Sequence, residues 1–158
     1  MTNELKKEYA VRITQANKTQ MIVILYEMLL TYVTDAKTAH NAEDKAEFQE
    51  NIKRAKACLD ELTQSLHLEY EIAGNLLQLY LYVNRSFNAA SRKQQTEPLE
   101  DIISIISELC EAYIEVSKQD DSEPMMSHTQ SIYAGLTYSK NELTENLSGE
   151  SNNRGFLA

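Results

Sequence analysis

The sequence is poor in the residues that break helices. Four Gly and two Pro in 158 residues leave little material for the tight turns of a β-sandwich or barrel, so a helical protein is expected. The two Cys, Cys58 and Cys110, form no CxxC pair. Both fall at apolar positions inside expected helices, which fits reduced core thiols better than a disulfide or redox pair. No apolar run reaches the about 20 residues that a bilayer span needs. Residues 1–10 are polar and charged, unlike a signal peptide. Positive charge is scarce as well. A formal net charge of −9 repels phosphates, and Lys6-Lys7, Lys53-Arg54 and Arg92-Lys93 are too short to make a basic surface. The expectation is a cytoplasmic protein with no nucleic-acid partner and no membrane insertion.

The usual signatures of chemistry are missing too. A carboxylate-bridged metal pair in a helical bundle needs Glu-x-x-His on two helices. The residues three before His40, His67 and His128 are Lys37, Gln64 and Met125. No Gly-rich phosphate loop occurs, nor a nucleophile elbow, nor a Cys paired with a suitable His. These absences point to a non-enzymatic protein with no catalytic residue, no metal and no cofactor.

What is present is apolar helix. In Met21–Val33 (MIVILYEMLLTYV) only Glu27 and Thr31 interrupt the apolar and aromatic residues. At helical period Ile22, Leu25, Tyr26, Leu29 and Val33 form one stripe, with Met21, Ile24, Met28 and Tyr32 in a second beside it. A helix apolar most of the way round must be covered on more than one side. Asn17 stands where an N-cap is wanted, and a helix over 18–40 follows. A second helix, from Glu43 to Leu66, repeats Phe48, Ile52, Ala55, Leu59, Leu62 and Leu66 as a bundle seam, with Glu50 and Arg54 paired on its outer face. A third, over 72–90, carries Ile72, Leu76, Leu79, Tyr80, Val83 and Phe87, widened by Leu77 and Leu81. Thr96 and Pro98 open a fourth, which runs to Lys118 through Leu99, Ile102, Ile103, Ile106, Leu109, Cys110 and Tyr113.

The expected fold is all-α: an antiparallel up-and-down four-helix bundle over residues 18–118, with a polar N-terminal arm over 1–17. Residues 119–158 are expected to be a linker and tail, partly disordered or weakly docked, with at best a short helix over Ser131–Leu147. Nine Tyr and two over-wide helices favour a groove for a partner helix or a homodimer face.

Three stretches carry a family resemblance. They are ILYEMLLTYVTDA, RAKACLDELTQSL and IAGNLLQLYLYV, with Leu25-Tyr26, Arg54-Ala55, Glu61-Leu62, Ser65-Leu66, Ile72-Ala73-Gly74-Asn75-Leu76, Leu79-Tyr80 and Tyr82 as the matching positions. Together they resemble the flagellin-specific export chaperones, the FliS family, over residues 9–118. Tyr113 stands where the family often has Trp. The chain departs at Asn17-Lys18-Thr19-Gln20, at Glu27-Met28 and in a shortened turn over His67–Glu71. The resemblance implies a cytosolic chaperone that binds the disordered C-terminal segment of flagellin, prevents early polymerisation and aids flagellar type III secretion, with the export gate as a further partner. The partner-binding candidates are Leu25, Tyr26 and Leu29 on one wall and Leu76, Leu79, Tyr80 and Val83 on another. Tyr9 and Ile13 would form a movable cover. The expected state is a monomer or weak dimer. The alternative is a helical adaptor that homodimerises through the same stripes.

Overall fold

A computed structural model describes residues 1–126. The expectations for Ser131–Leu147 and for the rest of the tail lie outside the described residues. The fold is all-α, with five helices and no strand among the described residues: α1 (Asn3–Gln15), α2 (Lys18–Asn41), α3 (Lys45–Gln64), α4 (Glu71–Lys93) and α5 (Glu97–Ser117). Most of the N-terminal arm over 1–17 is the helix α1. Thr2 accepts from Leu5 N–H to cap it, and the side of Tyr9 is buried, so a helix forms where apolar marks alone looked sparse.

Helix ends follow local chemistry. Asn17 caps α2 through a capping box with Gln20, which replaces the Glu that more often fills that place. Asp44 accepts from Glu47 N–H to start α3. Thr96 precedes α5 but makes no side-chain cap; the Leu99 N–H bonds its backbone carbonyl instead, at 2.9 Å. With so few glycines, two connections use other residues in the left-handed region: Glu43 at φ 58° and Gln94 at φ 54°.

Helix α2 packs against both α3 and α5, α3 against α4, and α4 against α5. Lys37 pairs with Glu100, while Tyr26, earlier in α2, meets Tyr113, later in α5. Gln49 reaches Ser91 and Lys56 reaches Asn88 between α3 and α4. The main core takes Tyr26, Leu29, Tyr32 and Val33 from α2, the Phe48–Leu62 seam of α3, Leu76, Tyr80, Val83 and Phe87 from α4, and Leu99, Ile102, Ile106 and Cys110 from α5. Leu66 completes the seam as a partly buried residue, and Glu50 and Arg54 form the outer ion pair at 3.0 Å. Cys58 and Cys110 are both free and buried. Helix α1 lies on α2 over a second, smaller cluster of Tyr9, Ala16 and Ile24.

Two substitutions measure these assignments. Leu29→Ala in the fully buried centre is expected to lower unfolding free energy by about 2–5 kcal/mol in urea denaturation. Gly74→Ala in α4, where a Cβ would meet open space, is expected to raise it by about 0.5–1 kcal/mol through helix propensity.

Candidate functional site

The candidate residues separate into three environments. Tyr26, Leu29, Leu76, Tyr80 and Val83 are buried in the main core. Leu25 is partly buried against that core, and Ile13 is partly buried beneath α1. Tyr9 is buried in the α1–α2 contact. Leu79 is exposed, at 38%. The structure therefore brings the core residues together with one another, and leaves Leu79 among different neighbours.

Those neighbours are apolar. Of nine large hydrophobic side chains exposed among the described residues, six fall in one stretch: Leu68, Tyr70, Ile72, Leu79, Leu81 and Tyr82. Leu68 and Tyr70 come from the α3–α4 connection and the rest from α4. The inner face of α4 is Ala73, Leu76, Tyr80, Val83, Phe87 and Ala90. At 3.6 residues per turn, Ile72 lies in line with Ala90 at the edge of that stripe but is exposed in the first turn of α4, Leu79 and Tyr82 lie beyond that edge, and Leu81 with half-buried Leu77 flanks the stripe on the other side. Gly74 lies on the same exposed surface, so the helix backbone is open to close approach there. Helix α4 starts without a side-chain cap, and Tyr82 Oη donates to Asp101 of α5 at 2.9 Å. Beyond Tyr82 a shallow groove of about 400 Å³ runs between α4 and α5, lined by Arg85, Ala89, Pro98 and Asp101 among others. The sequence places Ile72 and Leu79 in one stripe with Leu76, Tyr80, Val83 and Phe87 and marks Tyr82 through the family resemblance, but singles out neither Leu68 nor Tyr70. The available signal was the spacing of Leu79 and Tyr82, which is offset from the stripe through Leu76, Tyr80, Val83 and Phe87.

The second surface is the contact of α1 with α2. Ile24 lies under Tyr9, with Leu5, Ile13, Met21 and Met28 around them. Arg12 pairs with Glu27 at 2.6 Å and stands over the Tyr9 ring at 5.4 Å. The terminal amine of Met1 pairs with Asp35. A cleft of about 490 Å³ opens beside this contact, between Arg12, Gln20, Glu27 and Ile114. Helix α1 is therefore held on α2 by a small apolar cluster and a few polar links at its rim.

Beneath both surfaces sits a tyrosine cluster. The hydroxyls of Tyr26 and Tyr80 share a hydrogen bond, and the Tyr26 ring stands 6.5 Å from Tyr80 and 5.6 Å from Tyr113, tilted 59° to each. Burial, before any other cause, pushes the pKa of Tyr26, Tyr80 and Tyr113 above the ordinary 10.0. These phenols hold structure and have no means of acting as bases. Burial also raises the Cys58 thiol to about 11, far from the lowered value a nucleophile needs. No group of three or more His, Cys, Asp or Glu could hold a metal ion among the described residues, and no described helix is long and apolar enough to cross a membrane.

Removing one hydroxyl of the pair leaves the other buried without its partner. Tyr26→Phe is expected to cost about 1–3 kcal/mol in chemical denaturation, and the Tyr26→Phe/Tyr80→Phe double variant less than the sum of the singles. The pH dependence has a fixed sign. The folded phenols titrate above the unfolded value, so their contribution is complete below pH 10.0 and is lost as pH rises past it. Thermal melts should therefore fall on going alkaline above that value, and fall less in the double Phe variant.

No curated protein matches the chain. A scan against family models matches Flagellar protein FliS over residues 1–120, the span that holds all five helices. By that match the chain belongs to the FliS family of flagellar proteins, a family of chaperones.

Proposed function

We propose that this chaperone binds the disordered C-terminal segment of flagellin and holds it from polymerising until delivery to the flagellar export gate, in the cytoplasm and without enzymatic chemistry. The working unit is an antiparallel up-and-down four-helix bundle of α2–α5, with α1 as its cover. The observation that carries this reading is the exposed apolar run from Leu68 to Tyr82. Singly scattered exposed hydrophobics are ordinary, whereas this one stretch concentrates six of them on and just before α4, with Leu79 and Tyr82 together on one flank of its inner stripe. A client helix would lay its apolar face along the Ile72, Leu79 and Tyr82 side of α4, anchored at spacings of three, four and seven residues. A disordered client that folds on binding loses entropy in doing so, which keeps its release possible.

The candidate residues take different parts in this reading. Leu79 touches the client, together with Ile72 and Tyr82. Leu25 lines the edge of α2. Tyr26, Leu29, Leu76, Tyr80 and Val83 hold α2 and α4 in register from inside. Tyr9 and Ile13 belong to the cover, and lifting α1 would add Met21, Ile24 and Met28 to the binding surface.

Calorimetric titration with a peptide covering the C-terminal segment of a flagellin tests the assignment. Saturable binding with a negative heat-capacity change and a gain of helix is expected. Ile72→Asp/Leu79→Asp should weaken it by about tenfold or more, equal to 1.4 kcal/mol, with the melting temperature unchanged. No binding by the wild-type chain, together with a tight dimer by solution mass that this variant dissociates, would replace the chaperone with the homodimeric adaptor.

A further inference from the structure

The two residues that join α1 to α2, Ala16 and Asn17, are both buried. Any movement of α1 away from α2 has to rotate the backbone there. All the polar groups of this joint are engaged. The Ala16 N–H bonds the Ile13 carbonyl at 3.4 Å, and the Asn17 carbonyl accepts from Met21 at 2.9 Å. Asn17 N–H donates to Gln20 Oε1 at 3.0 Å, and its Oδ1 accepts from Gln20 N–H at 2.9 Å. What is left, the Ala16 carbonyl and the Asn17 amide nitrogen, is taken by a segment that follows α5 more than a hundred residues later. Asn17 Nδ2 donates to the carbonyls of Asp120 at 3.0 Å and Ser122 at 3.3 Å. The Ala16 carbonyl accepts from Met125 N–H at 3.0 Å. Thr19, the second residue of α2, donates its hydroxyl to the Asp120 carboxylate.

We propose that residues 120–125 are a strap across the α1–α2 joint, and that it sets how readily α1 lifts from α2. A plain chain crossing could touch the bundle anywhere. This one bonds both residues about which the cover must turn, and it uses the only donor of the Asn17 side chain that capping leaves unused. A hinge gripped in this way moves only if the strap lets go, so strap release and cover opening are linked equilibria. Linkage is reciprocal: loosening either end must loosen the other. The hydroxyls of Ser122, then Thr19, hold the Asp120 carboxyl down at about 2. A partner that binds residues 120–125 would compete with the joint for the strap and so ease the lifting of α1. That α1 covers a client surface rests on the function proposed above; the coupling of strap to α1 does not.

Hydrogen exchange on the full-length chain tests it, with no client present. Asn17→Asp keeps an acceptor for the α2 cap but replaces the donor to the strap with a carboxylate facing two carbonyl oxygens. Asp120→Ala, outside the helices, removes the partner of Thr19 and guards against a folding defect in the first variant. In both, amides of α1 over residues 7–15 should exchange about tenfold faster, in the usual range of coupling, with the buried parts of α3 and α4 unchanged. In Tyr9→Ala, which loosens α1 from the other side, the Met125 amide should exchange faster. Unchanged α1 exchange in both strap variants would overturn the proposal. So would equal acceleration in every helix, or an unmoved Met125 amide when α1 is loosened. Because no flagellin peptide enters the measurement, failure here leaves the client reading standing, and failure of the peptide titration leaves the strap standing.

Discussion

A helix whose apolar side chains point in nearly every direction must be buried in nearly every direction, and α2 imposes that condition on the rest of the chain. Tyr26, Leu29 and Val33 require one set of neighbours, and Ile24 with Met21 and Met28 requires another. The first need is met by α3 and α5 at its sides and by Tyr80 of α4 across the core. The second is met by α1, through Tyr9 and Ala16. The order of the neighbours around α2 thus follows from which of its residues each can cover.

The same condition separates strong cover from weak. The α3–α5 side is a continuous core of large side chains, several of them fully buried, and it is cross-braced by the Tyr26–Tyr80 hydroxyl pair. Helix α1 contributes one buried Tyr and a rim of polar links that includes Arg12–Glu27 and Met1–Asp35. Elements held by few buried apolar contacts open at lower free energy than the core. Helix α1 is thus the more loosely held of the two neighbours, on a frame that is firmly packed. The strap at Ala16–Asn17 adds a third element to that balance, since it acts on the joint and not on the apolar cluster.

Helix α4 shows the reverse situation. Its inner stripe from Ala73 to Ala90 satisfies the core, yet Ile72, Leu79, Leu81 and Tyr82 remain outside it. Apolar area left in water is unfavourable, and Gly74 in the middle of the exposed face weakens the helix further. Neither feature serves the stability of the free chain. Both suit a surface that a second chain covers.

Much of the fold was legible because helical period and caps are local. The α3 seam from Phe48 to Leu62, the Asn17 cap and the Glu50–Arg54 pair all follow from residues within a few positions of each other. The site was less legible. Tyr26, Leu29, Tyr80 and Val83 read as apolar and over-abundant, but burial depends on how far each helix rotates about its axis, which its neighbours decide. Leu79 and Tyr80 are adjacent and both apolar in sequence, and fall on opposite sides of that decision. Helix α1 was legible only as sparse apolar marks, since what stabilises it is docking on Ile24 and not its own periodicity. The sequence by itself determined the helical class, the core seam of α3, the absence of an evident catalytic motif and the resemblance to a chaperone family. Only the tertiary structure decided which apolar residues stay outside and that Asp120–Met125 returns to the α1–α2 joint, because both depend on contacts between residues far apart in the chain.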